Sequence, residues 1–410
     1  MSTWAGGEQS TTPQGSGPLA RLKVVDVATV YAGPFAASLL GDLGADVIKV
    51  ELPGTGDPLR GLQPFDGDES LSWAALSRNK RCVTLDLRKT AGRELFLRLL
   101  AERDVLFENF RPGTLARWGL DTPRLREANP DLVIVRVSGY GQTGPYSTKA
   151  GFGTPATAFS GYAYISGYPD RPPILPSVSL ADYVTGLFAA LGALAALHHR
   201  DVAGGAPQEV DVALYESMFR LLESVVAQYD RLGEVRERTG NQLSASVPAG
   251  MFRTADGHWM VLTTSTDRTF NRLARLLDRP DLLADPRYAT NRARVEHRDE
   301  VNAIVGKWFA ARRAAEIGRR CDEYGVPVSQ VLSVADIFSD AQYRARDMIV
   351  EVDHPSLGRV RVPGVVPKFS GTPGSVRATG SGLGQHNDEV FRELGLSDAD
   401  IARLAQEEVI

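Results

Sequence analysis

The sequence predicts an open α/β domain built on a parallel sheet, with a smaller α+β domain inserted before the C-terminus. Three observations predict it. Apolar, β-branched runs alternate with helical patterns over the first 140 residues. The chain has 410 residues, more than one typical core needs. Its character turns polar over Glu234–Val247, where a domain junction fits. The expected division is a disordered N-terminus at 1–20, a large domain from 21–233 plus 335–410, and a small α+β domain with linkers at 234–334.

Leu22–Val30 reads as the first strand. Gly33-Pro34 opens a helix through Leu43, because proline is pre-set for a first turn. Ala45–Glu51 reads as the next strand, and two strands around a short helix call for parallel pairing. The pattern repeats: strand Arg81–Leu87, helix Thr90–Arg103, strands Asp104–Glu108 and Leu132–Ser138. Gly139–Asp182 is loop-rich, and long irregular stretches in a compact domain are usually functional. Ser179–Arg200 is a strong helix, Gln208–Val212 a short strand and Ala213–Gly233 one long helix. Beyond the junction, Met251–Arg253 and Trp259–Leu262 form a hairpin around Ala255-Asp256-Gly257, with amphipathic helices up to Val331. Strands at Ile349–Asp353 and Val360–Val362 and a helix near Asn387–Leu394 close the chain.

Hydrophobic residues make up 43% and charged residues 23%, an ordinary globular balance. The net charge of -4 gives no footing for nucleic acid. The apolar run Val184–Leu197 is too short to span a bilayer and reads as a buried helix. The small, polar first eighteen residues lack the apolar core of a signal peptide. The two cysteines, Cys82 and Cys321, lack CxxC spacing, which speaks for a reducing cytoplasm. None of the six histidines is paired at i, i+4, so no metal site is expected.

Gly139-Tyr-Gly141-Gln-Thr-Gly144 matches G-x-G-x-x-G after a strand. A dinucleotide site needs a helix to open inside that segment. Pro145 follows at once and no helical pattern starts for thirty residues, so the glycines read as a tight turn that could line a pocket. Asp182 lies at the start of the long apolar helix. Asp there commonly caps the helix. The same place would also hold a carboxylate ionised in a partly dry site, ready to attack an acyl carbonyl. Gly186, one turn on, would let a ligand approach closely. Arg78, Lys80, Arg81, Arg88, Lys89, Arg111 and Arg117 recur near strand ends. They are ordinary surface charge one by one, or phosphate partners together.

Ala32-Gly33-Pro34 followed by Leu40-Gly-Asp-Leu-Gly-Ala-Asp-Val-Ile-Lys-Val-Glu51 resembles the opening signature of the family III CoA-transferases, the CaiB/BaiF family. The resemblance runs on through Asn79-Lys80-Arg81, Leu85-Asp86-Leu87, Glu108-Asn-Phe-Arg-Pro-Gly113, Ser138–Pro145, the Asp182 helix start and Gly384-Gln385-His386. It implies a Rossmann-like large domain, a small domain and an interlocked homodimer. It places the catalytic aspartate on Asp182. Coenzyme A contacts fall on Val30, Tyr31 and Ala32, on Leu85 through Arg88, on Asn109, Phe110 and Arg111, and on Arg117 for the nucleotide. The Ala150–Gly153 loop, with Phe152, flanks the thioester.

The implied activity is acyl-CoA:carboxylate CoA transfer through an aspartyl anhydride and an aspartyl-CoA thioester. Coenzyme A is a co-substrate and no cofactor is tightly bound. Backbone N–H groups of Gly139–Gly144 are expected to steady the oxyanions. Many family members carry an acidic residue at Gly153, and some have Arg at Leu52. The glycine-rich loop of the formyl-CoA:oxalate branch is replaced by Ser244–Gly250, which speaks against oxalate. The alternatives are an α-methylacyl-CoA racemase or epimerase, whose His is Phe152 here, and a non-catalytic CoA-binding protein. Succinyl-CoA as donor and a dicarboxylic or branched acid as acceptor also rest on the resemblance.

Overall fold

The computed structural model describes residues 16–243 and 245–410. Chain contacts divide it into two compact units: one up to Tyr162 with Leu175–Val226 and Ala341–Ile410, the other Ala163–Ile174 with Ala227–Asp340. Against the expected division, Ala163–Ile174 and the segment after Val226 fall in the second unit. Most of the expected disordered N-terminus, 1–15, lies outside the described residues. Ser16–Ala20 forms a turn whose Leu19 N–H donates to the Leu43 carbonyl at 3.0 Å.

The first unit carries a six-stranded parallel sheet: β1 Lys23–Asp26, β2 Asp46–Glu51, β3 Lys80–Thr84, β4 Val105–Glu108, β5 Val133–Ser138 and β6 Glu209–Ala213. The spatial order is β3-β2-β1-β4-β5-β6. Alternating residues face opposite sides, and both sides are covered, so the strand centres are largely apolar. Val25, Ile48, Leu106 and Ile134 pack on one side under helix α2, Thr90–Leu100, and under Val390, Phe391, Ile401 and Leu404 from the C-terminal segment. That segment therefore completes the sheet's cover. Burying Phe391 fully contributes about 2–3 kcal/mol. His386 Nδ1 accepts the Cys82 N–H at 3.0 Å and ties the segment to β3.

On the other side Val24, Val47, Val105 and Val133 meet helix α1, Ala32–Asp42, and a long helix, Leu180–Asp201. Small residues let these two helices approach closely. A Cβ on Gly186 would stand 2.8 Å from the Ala32 carbonyl oxygen. The space at Gly186 thus receives a helix rather than a ligand. The long helix is buried on one face only, and its Leu187 and Leu191 are exposed.

Local departures from the sequence reading have visible causes. β1 stops at Asp26 because the chain turns to a left-handed Val30, φ +67°. The expected helix Ala213–Gly233 is two, Leu214–Phe219 and Val225–Leu232, broken at left-handed Glu223, φ +49°. A helix does form soon after the G-x-G-x-x-G turn: α3, Gly153–Phe159, precedes the long helix, α4, Leu180–Asp201.

The second unit has an antiparallel sheet in which β7 Ala249–Arg253 and β8 Trp259–Thr263 form the expected hairpin and β9 Val328–Gln330 pairs with β8. Its core holds Phe252, Met260, Leu262, Phe270 and Phe309. Arg294 is fully buried among them. It donates to the Val247 and Tyr288 carbonyls at 2.8 and 2.9 Å and to Asp267 at 2.9 Å, and lies 4.2 Å over the Phe270 ring. Arg294→Met strands both carbonyls, so it is expected to destabilise this unit by about 3 kcal/mol. Differential hydrogen exchange of its sheet would show this, and unchanged protection would refute it.

Candidate active site

In the order β3-β2-β1-β4, the direction of winding reverses between β1 and β4, and open α/β sheets bind ligands beyond the strand ends at such a point. The loops leaving β1 and β4 are tied together there. Asn109 accepts the Thr29 N–H and donates to the Thr29 carbonyl, both at 2.8 Å. A cavity of about 480 Å³ opens at this junction. Thr29–Ala32 and Asn109–Pro112 form one wall, Ser138-Gly139 and Ala150–Thr154 another, and Asp182 projects from the start of α4. A second cavity of about 390 Å³ adjoins it through Thr29 and Phe110, and is lined by Leu85, Arg88, Lys49 and Asp57 among others.

Among the described residues, Asp182 is the one carboxylate lining the first cavity. It is not the helix cap: Ser179 holds that position, and Asp182 is in the first turn. Burial pushes its pKa up to about 6, partly offset by its own backbone N–H. The group is therefore mostly ionised near neutrality, yet more basic than an exposed aspartate. Gly153 lies against it, since a Cβ there would fall 2.0 Å from Asp182 Oδ2.

The expected contact residues divide by place. Val30, Tyr31, Ala32, Asn109, Phe110, Arg111 and Phe152 line the Asp182 cavity, while Leu85 and Arg88 line the second, which Phe110 also borders. Arg117 lines neither; it donates to Thr114 at 2.8 Å. The basic residues near β3 are corrected more firmly. Arg78 to Arg81 surround the start of a parallel strand, at the end of the sheet away from the cavities. There Arg78 pairs with Asp42, and Arg81 with Asp46, Glu389 and Glu393. Lys80 is buried on Asp26 at 2.8 Å. The glycine turn is corrected too. Gly141 N–H donates to Ser138 Oγ and Gln142 N–H to Asp211, at 2.9 and 2.8 Å, so those donors are already used. Gly139 instead lets Gly151 approach, where a Cβ would meet the Gly151 Cα at 2.6 Å.

Sequence reasoning missed Lys149, an exposed cation in the cavity wall whose Nζ lies 3.4 Å over the Tyr146 ring. It also missed the charges beneath Val30. Lys49 Nζ bonds Asp57 at 2.8 Å with both side chains out of water, and Asp57 Oδ1 accepts the Val30 N–H at 3.0 Å. Burial opposes the Lys49 charge, but Asp26, Asp57 and Glu51 hold its pKa above the ordinary range. A left-handed conformation costs a β-branched residue about 1–3 kcal/mol. Among the described residues lining the cavity there is no histidine, so none of them offers an imidazole base for an α-proton.

Comparison with known proteins shows the family. The model of CoA-transferase family III matches residues 19–387. A succinyl-CoA–D-citramalate CoA-transferase of Chloroflexus aurantiacus is 44% identical over 96% of this chain and 98% of its own. The alpha subunit of a succinyl-CoA–L-malate CoA-transferase from the same organism is 43% identical over 96% and 92%. A CaiB/BaiF family protein from Brucella suis superposes with a TM-score of 0.80 at 33% identity, covering 92% of this chain and all of that one.

Proposed function

The chain belongs to CoA-transferase family III and is an acyl-CoA:carboxylate CoA-transferase, and from that premise we propose that Asp182 carries the transferred group covalently. The observation that carries this reading is that Asp182, its pKa raised by burial to about 6, is the one carboxylate among the described residues lining the cavity at the sheet's switch point. A carboxylate oxygen of Asp182 attacks the thioester carbon, the C–S bond breaks, and CoA thiolate leaves a mixed anhydride. The thiolate then attacks the Asp182 carbonyl carbon, releasing the donor acid and leaving an aspartyl-CoA thioester. The acceptor carboxylate attacks that thioester, and the returning thiolate takes the acceptor acyl group and frees Asp182. The overall reaction exchanges one carboxylate for another on the same thiol, so donor and acceptor thioesters are of similar energy. In the first turn of α1 Pro34 has no N–H and the Phe35 N–H is bonded to the Tyr31 carbonyl, which leaves the Ala32 and Gly33 N–H groups, and Ala32 lines the cavity. These supply the oxyanion donors that Gly141 and Gln142 do not.

Coenzyme A lies across the two adjoining cavities, with Arg88 and Arg111 toward its phosphates. The names of the relatives point to succinyl-CoA as donor and a hydroxy-dicarboxylate as acceptor. The working form is a cytoplasmic homodimer. This rests on the resemblance, on the free buried Cys82 and Cys321, and on exposed Leu187 and Leu191, which a second chain would cover. Hydroxylamine added during turnover of succinyl-CoA is expected to convert Asp182 to a hydroxamate, found by peptide mass spectrometry, with release of CoA. Turnover that leaves Asp182 unmodified would sink the covalent reading.

A further inference from the structure

The turn from Ala28 to Pro34, which forms one wall of the Asp182 cavity, is held almost entirely by buried side chains. Asp26 accepts the Ala28 N–H at 3.0 Å, and Lys49 donates to the Ala28 carbonyl. Asn109 takes both backbone groups of Thr29, and Lys80 donates to the Pro34 carbonyl at 2.7 Å. Val30 is the exception in conformation, left-handed at φ +67° with a β-branched side chain. Its N–H goes to Asp57, at 3.0 and 3.3 Å from the two carboxylate oxygens. Asp57 is itself fixed on every side: by Lys49 at 2.8 Å, by the Leu59 N–H at 2.9 Å, and through its own N–H to Glu51 at 2.9 Å. Glu51 in turn holds Arg60 at 2.7 and 2.8 Å, and Arg60 lies 3.7 Å over the Trp73 ring.

We propose that the Lys49–Asp57 pair is a positioning device that holds Val30 in its left-handed conformation and so presets the Val30–Ala32 backbone against Asp182. The proposal rests on the reading of this cavity as the acyl-CoA site. A buried ion pair is a poor source of stability, because desolvation offsets most of the attraction. Its demonstrable product here is a backbone geometry the residue would not choose alone, at a cavity wall. Strain of that kind persists only where the surroundings over-determine it. Neither Lys49 nor Asp57 need touch the reacting atoms; they act through Val30.

The test compares two charge-neutral pairs. Lys49→Met/Asp57→Asn keeps an oxygen acceptor for the Val30 N–H, whereas Lys49→Met/Asp57→Leu removes it. The asparagine pair is expected to exceed the leucine pair by about 30-fold in kcat/KM for succinyl-CoA, mostly in kcat, since misplacement at a reacting centre is costly. Adding Val30→Gly to the leucine pair should recover at least about threefold, because glycine adopts positive φ unaided. A purely structural role would not be rescued this way. Equal activity in the two pairs, or no recovery with glycine, overturns the proposal. If the leucine pair does not fold, Lys49→Met/Asp57→Ala, which likewise removes the acceptor for the Val30 N–H, takes its place with the same expectations. Hydroxylamine labelling of the parent separates the two levels. Labelled Asp182 with indistinguishable variants refutes only the positioning role; unlabelled Asp182 overturns the site reading and this proposal together.

Discussion

Asp182→Asn is expected to lower kcat for CoA transfer by at least about 10,000-fold while making the protein more stable at pH 7.5. The first half follows from chemistry. An amide has no carboxylate oxygen to attack the thioester, and a lost nucleophile removes the pathway, leaving only binding and oxyanion donors. A loss of that size is about 5.5 kcal/mol of barrier. The second half follows from burial. The carboxyl has a pKa of about 6 in the folded protein against an ordinary 3.8. Folding therefore favours the protonated form. That contribution is fully present below about pH 3.8 and is lost as pH rises through about 6. At pH 7.5 the ionised group weighs against the fold, by at most about 3 kcal/mol from the gap between the two values. Partial solvent access reduces this to about 1–2 kcal/mol. Urea unfolding should show the variant ahead at pH 7.5 and level with the parent near pH 4. The parent's kcat/KM should fall below about pH 6 as the nucleophile protonates. A variant less stable than its parent at pH 7.5 would count against the burial account, and a variant retaining transfer would end the nucleophile assignment.

The strands were legible because a sheet covered on both faces demands apolar residues at its centre, and Val24–Val25, Val47–Ile48 and Val133–Val135 supply them. Lys49 breaks that rule inside β2, and a lysine at an interior position was the available signal for the buried charges beneath Val30. It went unread because its partner, Asp57, comes from a loop that spacing alone does not place. Helix α3 was missed because Gly153 and Pro155 read as loop, although proline in a first turn is a favoured helix start. Asp182 shows the limit most clearly. Spacing put it at a helix start, where a capping carboxylate and a nucleophilic one look alike. What separates them is burial and a cavity wall assembled from β1, β4 and the Ala150–Thr154 segment, which are far away in sequence. Motif resemblance pointed to Asp182, which the structure places in the cavity wall. It did not place Arg78 and Arg81, because being near a strand end does not say which end of a parallel strand.

Gly153→Val is expected to reduce kcat by about 100-fold and leave KM for acyl-CoA within about threefold. A Cβ at this position would stand 2.0 Å from Asp182 Oδ2 and 2.9 Å from its Cγ, so the two cannot share the present arrangement. The backbone does not require glycine, because φ at Gly153 is not in the left-handed range, and the first turn of α3 tolerates other residues. The carboxylate is the part that yields, being the free end of a flexible side chain. It would rotate away from the place it now occupies, and misplacing a reacting group by about 1 Å costs about 100-fold. The remaining cavity wall, including Val30–Ala32 and Asn109–Arg111, is untouched, so binding should survive. Gly153→Ala presents the same Cβ with less bulk and should fall between. Gly153→Asp adds a second acid beside the first. Two carboxyls in contact cannot both ionise readily, so the acid limb of kcat/KM should move above about pH 6, whichever residue holds the proton. Steady-state kinetics of the three variants across pH decides the matter. If valine leaves kcat unchanged, the orientation of Asp182 against Gly153 is not the reactive one, and the nucleophile must swing to another position before it attacks.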